Sequence, residues 1–529
     1  MKAFADLFDQ IDQTNSTNEK VHYLKLFFEG NPSADCAWAL FFLSGQKLKR
    51  LVSSKALLEW VMDVADIPAW LLEESYSSVG DIAETVSLLL PRSQAAVHSN
   101  LSLSEWMETR ILPLRNLRAD EQKDIVAAFW HELTRNERFI LNKILTSSLR
   151  VGVSHLLTIR ALSQALDVPK EAISQKLMGS WTPTAEFFDS LRTSQHTASL
   201  NPYPFYLASP LEGELEVLGD PSLWLAEWKW DGIRSQCISR EGGQAIWSRG
   251  NELVSHQFPE LMDSLQRVPS GTVLDGEILA YQDGRPLSFA ALQKRLGRKA
   301  PSKAIQEEIP IILMVYDILE WEGKDIRDKP IQERRKLVEA WAGKDNRFLV
   351  SPRISFSSWD EIREKRLEAR ELLTEGIMLK KQSSAYGYGR QKGNWWKFKV
   401  DPMSIDTVLL YAQTGQGNRA NLYTDYTFAV WDSDELIPIA KAYSGLTQEE
   451  ITTLDKWIRR NTEEKFGPVR RVKAEQVFEI AFEGIQASNR HKSGVALRFP
   501  RIARWRKDKP IDECDTIQRI RDAFLRDDG

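Results

Sequence analysis

The 529-residue sequence is poor in cysteine and contains no long apolar run. Its three cysteines, Cys36, Cys237 and Cys514, lie far apart and form no Cys-x-x-Cys pair, which argues against a zinc ribbon and a disulfide framework. The seven histidines are scattered as well. No stretch of about 20 uncharged apolar residues occurs, so we expect no membrane span. The N-terminus has no signal-peptide pattern, and we expect a cytoplasmic protein.

The composition is that of an ordinary globular protein, with 42% hydrophobic and 27% charged residues. Its length predicts several domains. The net charge of −4 does not exclude a nucleic-acid partner, because only the contact face must be basic. Cationic residues outnumber acidic ones over 451–529, a pattern that a solvated surface would also explain.

Apolar residues at three- and four-residue spacing predict helices in the first 200 residues, for example over 21–28, 121–133, 140–149 and 156–166. Asp120 is the predicted N-cap of one helix. Gly152 fits a bend that ends another. These patterns predict an all-α domain over residues 1–200.

The pattern changes at Asn201-Pro202-Tyr203-Pro204, since proline disfavours helix at its own position and at the residue before it. Short β-like runs at 223–228, 244–248, 271–279 and 311–319, with helices at 331–341 and 359–373, predict an α+β domain over 201–400. After Asp401-Pro402, strands at 404–411, 426–431, 436–442 and 476–482 with a helix at 448–459 predict a β-barrel of the OB-fold type over 401–529.

The sharpest local motif is Glu227-Trp228-Lys229-Trp230-Asp231-Gly232-Ile233-Arg234. A lysine just after an apolar strand is unusual, because strand interiors rarely tolerate a buried ammonium. A lysine that is desolvated or surrounded by cations loses its proton more readily and becomes a nucleophile. An edge-strand lysine paired with Asp231 is the structural alternative.

Further motifs follow Lys229 in a fixed order. They are Ser248-Arg249-Gly250-Asn251, Leu274-Asp275-Gly276-Glu277, Val315-Tyr316-Asp317, the segment 375–380, Trp395-Trp396-Lys397-Phe398-Lys399, and Arg498-Phe499-Pro500-Arg501 with Arg504 to Lys509. This series resembles the covalent nucleotidyltransferase superfamily, which contains ATP-dependent DNA ligases, RNA ligases and mRNA capping enzymes. The final motif is most similar to the DNA ligase form, and the helical first 200 residues resemble the DNA-binding domain of larger DNA ligases.

The resemblance implies a two-sheet, ATP-grasp-like central domain in which Lys229 attacks ATP and carries AMP. Negative charge develops on the phosphates during this attack and needs cations to offset it. Lys397 and Lys399 alternate with aromatics, so both can face one side of a strand. The family pattern gives these two lysines that role and brings Arg506 and Lys509 to the pyrophosphate.

The remaining nucleotide contacts are also implied by the resemblance. Glu227 would accept a hydrogen bond from the adenine amino group, while Tyr316 and Met378 would cover the two faces of the base. Arg234 would contact the ribose. Glu277 and Glu375 would bind Mg²⁺ or Mn²⁺, because carboxylates are hard oxygen ligands, and Glu277 would also lie near the ribose. Arg249 would contact phosphate, and a salt bridge to Glu252 is the alternative for this residue.

Nicked duplex DNA is the partner that the resemblance implies, for a monomeric enzyme of bacterial or archaeal type. Lys143, Arg150 and Gly152 are the candidate DNA contacts of the helical domain, through cations and backbone amides that meet phosphates. Asp401-Pro402 is the candidate hinge for the movement of the barrel.

Two alternatives remain open from the sequence. The first is an RNA ligase or other polynucleotide ligase of the same superfamily, which shares Lys-x-Asp-Gly but is not expected to carry a 200-residue helical DNA-binding module. The second is a non-catalytic DNA-binding protein with the ligase fold, which predicts the loss of at least one motif residue. All of the motif lysines and glutamates are present.

Overall fold

The computed structural model describes residues 1–91, 99–149, 152–178, 181–192, 200–296, 298, 300–341, 345–415, 422–467 and 469–525. The chain forms two compact units, one containing residues 1–9, 46–151 and 401–529, the other residues 10–45 and 152–400. No helix among the described residues has the length and apolar character needed to cross a membrane.

The first 192 residues are helical where described, as the apolar spacing predicts. The helix predicted at 121–133 begins at Ala119, so the prediction of Asp120 as its N-cap is wrong. Arg118 is the N-cap, and its N–H donates to the Glu121 carboxylate at 2.9 Å. The α-helices are Lys2–Asp12 (α1), Thr17–Gly30 (α2), Ser33–Leu43 (α3), Ser54–Ala65 (α4), Ala69–Val79 (α5), Ile82–Leu89 (α6), Leu103–Glu105 (α7), Ala119–Glu132 (α8), Arg135–Leu145 (α9), His155–Leu166 (α10), Lys170–Lys176 (α11) and Ala185–Ser190 (α12).

Gly152 does not end a helix, contrary to the prediction. Helix α9 ends at Leu145 with Thr146 as its C-cap, and α10 begins at His155. Gly152 therefore lies in the connection between the two helices, where the Lys20 ammonium donates to its carbonyl oxygen at 2.8 Å.

The region from 200 to 400 is built on two main sheets, which confirms the two-sheet prediction. The strands are Tyr206–Leu207 (β1), Ser209–Pro210 (β2), Trp224–Trp230 (β3), Ile233–Arg240 (β4), Gly243–Ser248 (β5), Thr272–Gln282 (β6), Arg285–Pro286 (β7), Ile311–Trp321 (β8), Lys324–Asp325 (β9), Phe348–Val350 (β10), Arg353–Ile354 (β11), Thr374–Lys381 (β12), Gly389–Arg390 (β13) and Trp395–Lys399 (β14). The helices are Pro259–Leu265 (α13), Phe289–Arg295 (α14), Lys303–Glu308 (α15), Ile331–Trp341 (α16) and Trp359–Glu368 (α17).

Strand order decides which motifs meet. In the first sheet the order is β10-β8-β6-β4-β5, and in the second it is β11-β3-β12-β14-β2. Phe258, Leu261 and Leu265 pack against the apolar face of the first sheet. Trp359 and Ile362 of α17 pack against β3 and β12 of the second. Each sheet thus buries one face on helices and leaves polar motif residues on the other.

The C-terminal region forms the predicted β domain with one inserted helix. Strand β15 is central, since it pairs with β16, β19 and β20. The Ile502 N–H donates to the Ser444 carbonyl at 3.0 Å, which joins the last strand to the segment after β17. The elements are Met403–Thr414 (β15), Tyr423–Asp432 (β16), Glu435–Ala442 (β17), Gln448–Arg460 (α18), Thr462–Phe466 (β18), Val469–Val472 (β19), Val477–Phe482 (β20), Gly484–Ala487 (β21), Val495–Arg498 (β22), Arg501–Trp505 (β23) and Ile517–Phe524 (α19).

Candidate active site

Three neighbouring strands of the second sheet bring the candidate residues onto one face. Met378 on β12 lies opposite Glu227 on β3 and opposite Lys397 on β14. Because alternate residues of a strand share a face, residues two positions away project on the same side. The face therefore presents Glu227, Lys229, Met378, Lys380, Lys397 and Lys399.

Lys229 forms an ion pair with Glu375. The pairing of β3 with β12 shifts register between Thr374 and Ile377, and the shift carries Glu375 to the lysine face. The Lys399 ammonium lies 3.2 Å from the same carboxylate oxygen. Although burial favours the neutral acid, the ammonium groups of Lys229 and Lys399 lower the pKa of Glu375 to about 2.

Lys397 adds a third cation to this cluster. Burial lowers the pKa of its ammonium, and the neighbouring charges of Lys399, Arg390 and Lys229 lower it further. Three lysines thus surround one ionised carboxylate on a half-buried surface. Such a concentration of positive charge suits a polyanionic ligand and stabilises charge that develops on phosphate oxygens.

The first sheet supplies a second group of polar residues. Arg234 on β4 lies opposite Glu277 on β6, and its guanidinium contacts Asp275 at 2.7 Å. Burial raises the pKa of Glu277 to about 8, although the charges of Lys229 and Arg234 oppose the shift. Tyr316 sits where the pairing of β6 with β8 shifts register, and its ring centre lies 5.8 Å from the Arg234 guanidinium.

Glu227 is buried and held by two cations. Arg335 of α16 contacts one carboxylate oxygen, and the Lys380 ammonium lies 2.6 Å from the other. The same ammonium lies 4.5 Å from the centre of the Tyr316 ring. Lys380 therefore connects the predicted hydrogen-bond acceptor for adenine, on one sheet, with the predicted stacking ring, on the other.

Two motif glycines are required by close backbone contacts. A Cβ at Gly232 would lie 2.3 Å from the Ile278 carbonyl oxygen, and one at Gly376 would lie 2.3 Å from that of Phe398. Gly376 also has a φ of +131°, a conformation that side-chain-bearing residues rarely adopt. Gly232 thus allows the turn that follows the Lys229 strand to approach β6, and Gly376 allows the strand that carries Glu375 to approach β14.

The other predicted nucleotide contacts lie in two places. Arg249 follows β5 with an exposed side chain, and its N–H donates to the Arg234 carbonyl at 2.9 Å. Arg506 and Lys509 belong to the C-terminal region, where they contact Asp406 at 3.3 and 2.8 Å.

Two of the three candidate DNA contacts have partners within the protein, and the third lies outside the described residues. Lys143 forms an ion pair with Asp81, and only 14% of its side chain is exposed. The Gly152 carbonyl accepts a hydrogen bond from Lys20. Arg150 lies outside the described residues. The role of these three in binding DNA stays a prediction.

Sequence reasoning missed several residues that organise the site. Asp275 and Lys380 lie inside motifs that were recognised, so motif position is the signal that identifies them. Tyr386, whose hydroxyl donates to Asp275 at 2.6 Å, follows the segment 375–380 closely. Arg335 and Asp406 carry no local signal, because each meets its partner only after the chain has folded.

Glu277 and Glu375 fit a hard divalent cation only in part by themselves. In the described part of the chain, no three His, Cys, Asp or Glu side chains form a metal-binding group. Mg²⁺, however, usually takes one or two carboxylates and completes its shell with water and substrate phosphates. Two carboxylates beside the cluster of Lys229, Lys397 and Lys399 are compatible with that donor set.

A half-buried lysine, a companion carboxylate and neighbouring cations form an arrangement suited to nucleotidyl transfer. Comparisons with known proteins identify the family. Residues 1–163 match the DNA ligase N terminus family, residues 206–399 the ATP dependent DNA ligase domain, and residues 419–509 the ATP dependent DNA ligase C terminal region.

Relatives of similar length extend the match over the whole chain. The chain is 31% identical to "Probable DNA ligase" of Koribacter versatilis, over 99% of this chain and 96% of that protein. It is 28% identical to "DNA ligase" of Methanothrix thermoacetophila, over 98% and 97%. The solved structure called "Pmar-Lig_Pre." shares its fold, with a TM-score of 0.61, 17% identity and coverage of 96% of this chain and 99% of that one. The chain belongs to the ATP-dependent DNA ligase family and is an enzyme of that class.

Proposed function

We propose that this enzyme seals nicks in duplex DNA through an AMP group carried on Lys229. The observation that supports the proposal best is the cluster of Lys229, Lys397 and Lys399 around Glu375. It joins a nucleophile, an ionised partner and the cations that phosphoryl chemistry needs. No observation favours RNA as the substrate, and the motif residues of a catalytic ligase are all present.

The first step is attack of the Lys229 amine on the α-phosphate of ATP. A P–N bond forms and the nitrogen loses a proton to solvent, while the bond between the α-phosphate and the bridging oxygen of the β-phosphate breaks and pyrophosphate leaves with the electron pair. Glu375 holds the lysine in place before attack, while Lys397 and Lys399 offset charge on the phosphate oxygens. Arg506 and Lys509 of the C-terminal region contact the leaving pyrophosphate in this scheme.

Selection of ATP rests on Glu227. A carboxylate accepts a hydrogen bond from the amino group of adenine, whereas guanine carries a carbonyl at the corresponding position. Arg335 and Lys380 hold the buried Glu227 carboxylate through direct contacts with its two oxygens. Tyr316 and Met378 cover the base, and Arg234 with Glu277 binds the ribose. Arg249 contacts phosphate.

Glu277 and Glu375 would hold Mg²⁺ or Mn²⁺ together with phosphate oxygens. When bound, the ion supplies positive charge that stabilises the developing negative charge on the phosphates. The ionised state of Glu375 suits this use, because its pKa of about 2 leaves it charged at neutral pH.

The second and third steps take place on DNA. AMP moves from Lys229 to the 5′-phosphate at the nick, and the 3′-hydroxyl then attacks that phosphate and expels AMP. A monomer with a helical domain at 1–200, an adenylation domain at 201–400 and a barrel at 401–529 would perform them. The division of the compact units between residues 400 and 401 supports a hinge at Asp401-Pro402.

Two reactions of one variant, labelling by ATP and sealing of adenylated nicked DNA, test the proposal. Lys229→Arg keeps a cation but removes the nucleophile. With α-labelled ATP and Mg²⁺, we expect the wild type to become labelled and the variant to remain unlabelled. Given nicked DNA that already carries AMP on its 5′-phosphate, the variant should seal it, because the lysine is no longer needed as the AMP carrier.

Lys324→Ala is the control for the loss of a lysine, since Lys324 is exposed on β9. It should behave as the wild type in both reactions. Labelling of Lys229→Arg at the wild-type rate would refute the role of Lys229. Equal sealing of nicked RNA and nicked DNA would refute the choice of substrate.

A further inference from the structure

Arg506 and Lys509 share one carboxylate of the C-terminal region, that of Asp406 on β15. Arg506 Nη1 lies 3.3 Å from Asp406 Oδ2, and Lys509 Nζ lies 2.8 Å from the same oxygen. Asp406 is mostly buried, with 15% of its side chain exposed. Arg506 has a second partner in Asp508, which is 65% exposed. Asp406 is thus the inner carboxylate that joins the two cations.

The backbone of Asp406 is fixed on both sides. Its N–H donates to the Asp515 carboxylate at 2.8 Å, and its carbonyl oxygen accepts from the Asp515 N–H at 3.0 Å. On β20, Glu479 lies opposite Asp406 and also opposite Arg504 of β23. Arg506 lies just beyond β23, so its side chain reaches across β20 to the carboxylate. The Asp406 carboxylate therefore projects from a strand whose backbone is held in place by hydrogen bonds.

A rigid carboxylate between two cations has a clear physical effect. The side chains of arginine and lysine have many rotamers and lose conformational entropy when they bind a ligand. A partner that already holds both in one orientation reduces that loss at the moment of binding. The effect helps only a ligand that meets both cations together, such as a diphosphate.

We propose that Asp406 is a positioning residue for pyrophosphate, acting through Arg506 and Lys509 in the first chemical step. The proposal rests on the pyrophosphate-binding role given to those two cations above. Asp406 does not itself touch the phosphates, because its carboxylate would repel them. It matters for lysine adenylation and for its reversal by pyrophosphate, and it has no part in the attack of the 3′-hydroxyl at the nick.

The test compares two reactions of Asp406→Asn. Asparagine keeps the size and one acceptor oxygen but removes the charge that holds the cations. We expect single-turnover formation of lysyl-AMP from ATP to slow by about 10-fold, the size of a contact worth about 1.4 kcal/mol. The pyrophosphate concentration that half-maximally reverses the adenylation should rise by a similar factor. Sealing of nicked DNA that already carries AMP should proceed at the wild-type rate.

Glu479→Gln is the matched control. Glu479 lies opposite Asp406 on the neighbouring strand, and its carboxylate forms an ion pair with Arg504 at 3.4 Å. The substitution therefore removes the same charge but leaves the ion pairs of Asp406 in place. It should leave adenylation unchanged. Asp406→Glu, which keeps the charge but displaces the carboxylate, should show the same selective loss as Asp406→Asn and replaces it if that variant unfolds.

Three results would overturn the proposal: unchanged adenylation, faster adenylation, or an equal loss in adenylation and sealing, which would indicate a merely structural role. If the wild type forms no lysyl-AMP at all, the proposed function fails instead.

Discussion

The Lys229 ammonium and the Glu375 carboxylate form an ion pair although 146 residues separate them in the chain. The order β3-β12-β14 makes them neighbours, and the register shift in β12 turns Glu375 toward the lysine. Lys399 shares the carboxylate. The acid therefore orients the predicted nucleophile and keeps two ammonium groups close together, as the proposed attack on a triphosphate requires.

Glu375→Gln should slow the formation of lysyl-AMP by about 10²–10³-fold, comparable to the removal of one preorganised electrostatic contact from an active site. The amide cannot hold the two ammonium groups by charge, so Lys229 loses its orientation. Single-turnover labelling from ATP measures the effect. Glu368→Gln, at an exposed carboxylate that pairs with Lys365, is the control. An unchanged labelling rate in Glu375→Gln would show that the ion pair is incidental.

Glu227→Gln should reduce the preference for ATP over GTP by about 10–100-fold, because mispairing one buried hydrogen-bonding group costs about 1–3 kcal/mol. The amide can donate to the guanine carbonyl, which the carboxylate cannot do. Competition between labelled ATP and labelled GTP measures the ratio. Glu339→Gln is the matched control, since Glu339 also contacts Arg335, at 3.1 Å, but is 39% exposed. A preference that survives Glu227→Gln would place adenine elsewhere.

Gly376→Ala should destabilise the enzyme by at least about 2 kcal/mol, as steric conflicts within a packed sheet do. The new Cβ would lie 2.3 Å from the Phe398 carbonyl oxygen. Gly393→Ala separates this clash from backbone strain, because Gly393 also has a positive φ, +108°, but nothing lies within 4 Å of its Cβ position. Denaturant unfolding of the two variants supplies the comparison, and equal losses would contradict the explanation by close contact.

Glu277 should make the stability of the metal-free enzyme depend on pH. Burial raises its pKa to about 8, whereas a glutamate in an unfolded chain has a pKa of about 4.3. Between these values the folded state binds more protons than the unfolded state, so the free energy of unfolding falls as pH rises through that window. Glu277→Gln removes the effect. The melting temperature of Glu277→Gln, relative to that of the wild type, should therefore rise as the pH increases from about 5 to about 8. Parallel plots of melting temperature against pH for the two proteins would exclude the raised pKa of Glu277.

The motifs around Lys229, Glu277, Glu375 and Lys397 could be predicted from the sequence, because each is a short segment with its own pattern. The α+β region and the β domain could be predicted as well, since short β-like runs mark their strands, and the resemblance to the nucleotidyltransferase superfamily implied the two sheets. Helix α16 was predicted at 331–341 and occurs at Ile331–Trp341.

Contacts between distant segments could not be predicted. Arg335 lies in a helix rich in charged residues, where an arginine ordinarily faces solvent, yet it is buried against Glu227. The sequence around Asp406 contains no pattern that predicts its contacts with Arg506 and Lys509, which lie 100 and 103 residues further along the chain. Strand order and register create these pairs, and local patterns do not encode either.

The most direct test of the central claim is to locate AMP on the enzyme after incubation with ATP and Mg²⁺. Trypsin cleaves after unmodified Lys229 and releases residues 193–229, but an adenylated lysine resists cleavage and the peptide then extends to Arg234. Digestion near neutral pH preserves the acid-labile P–N bond. Mass spectrometry should find AMP on the peptide 193–234, at Lys229. AMP on Lys380, Lys397 or Lys399 instead would contradict the account.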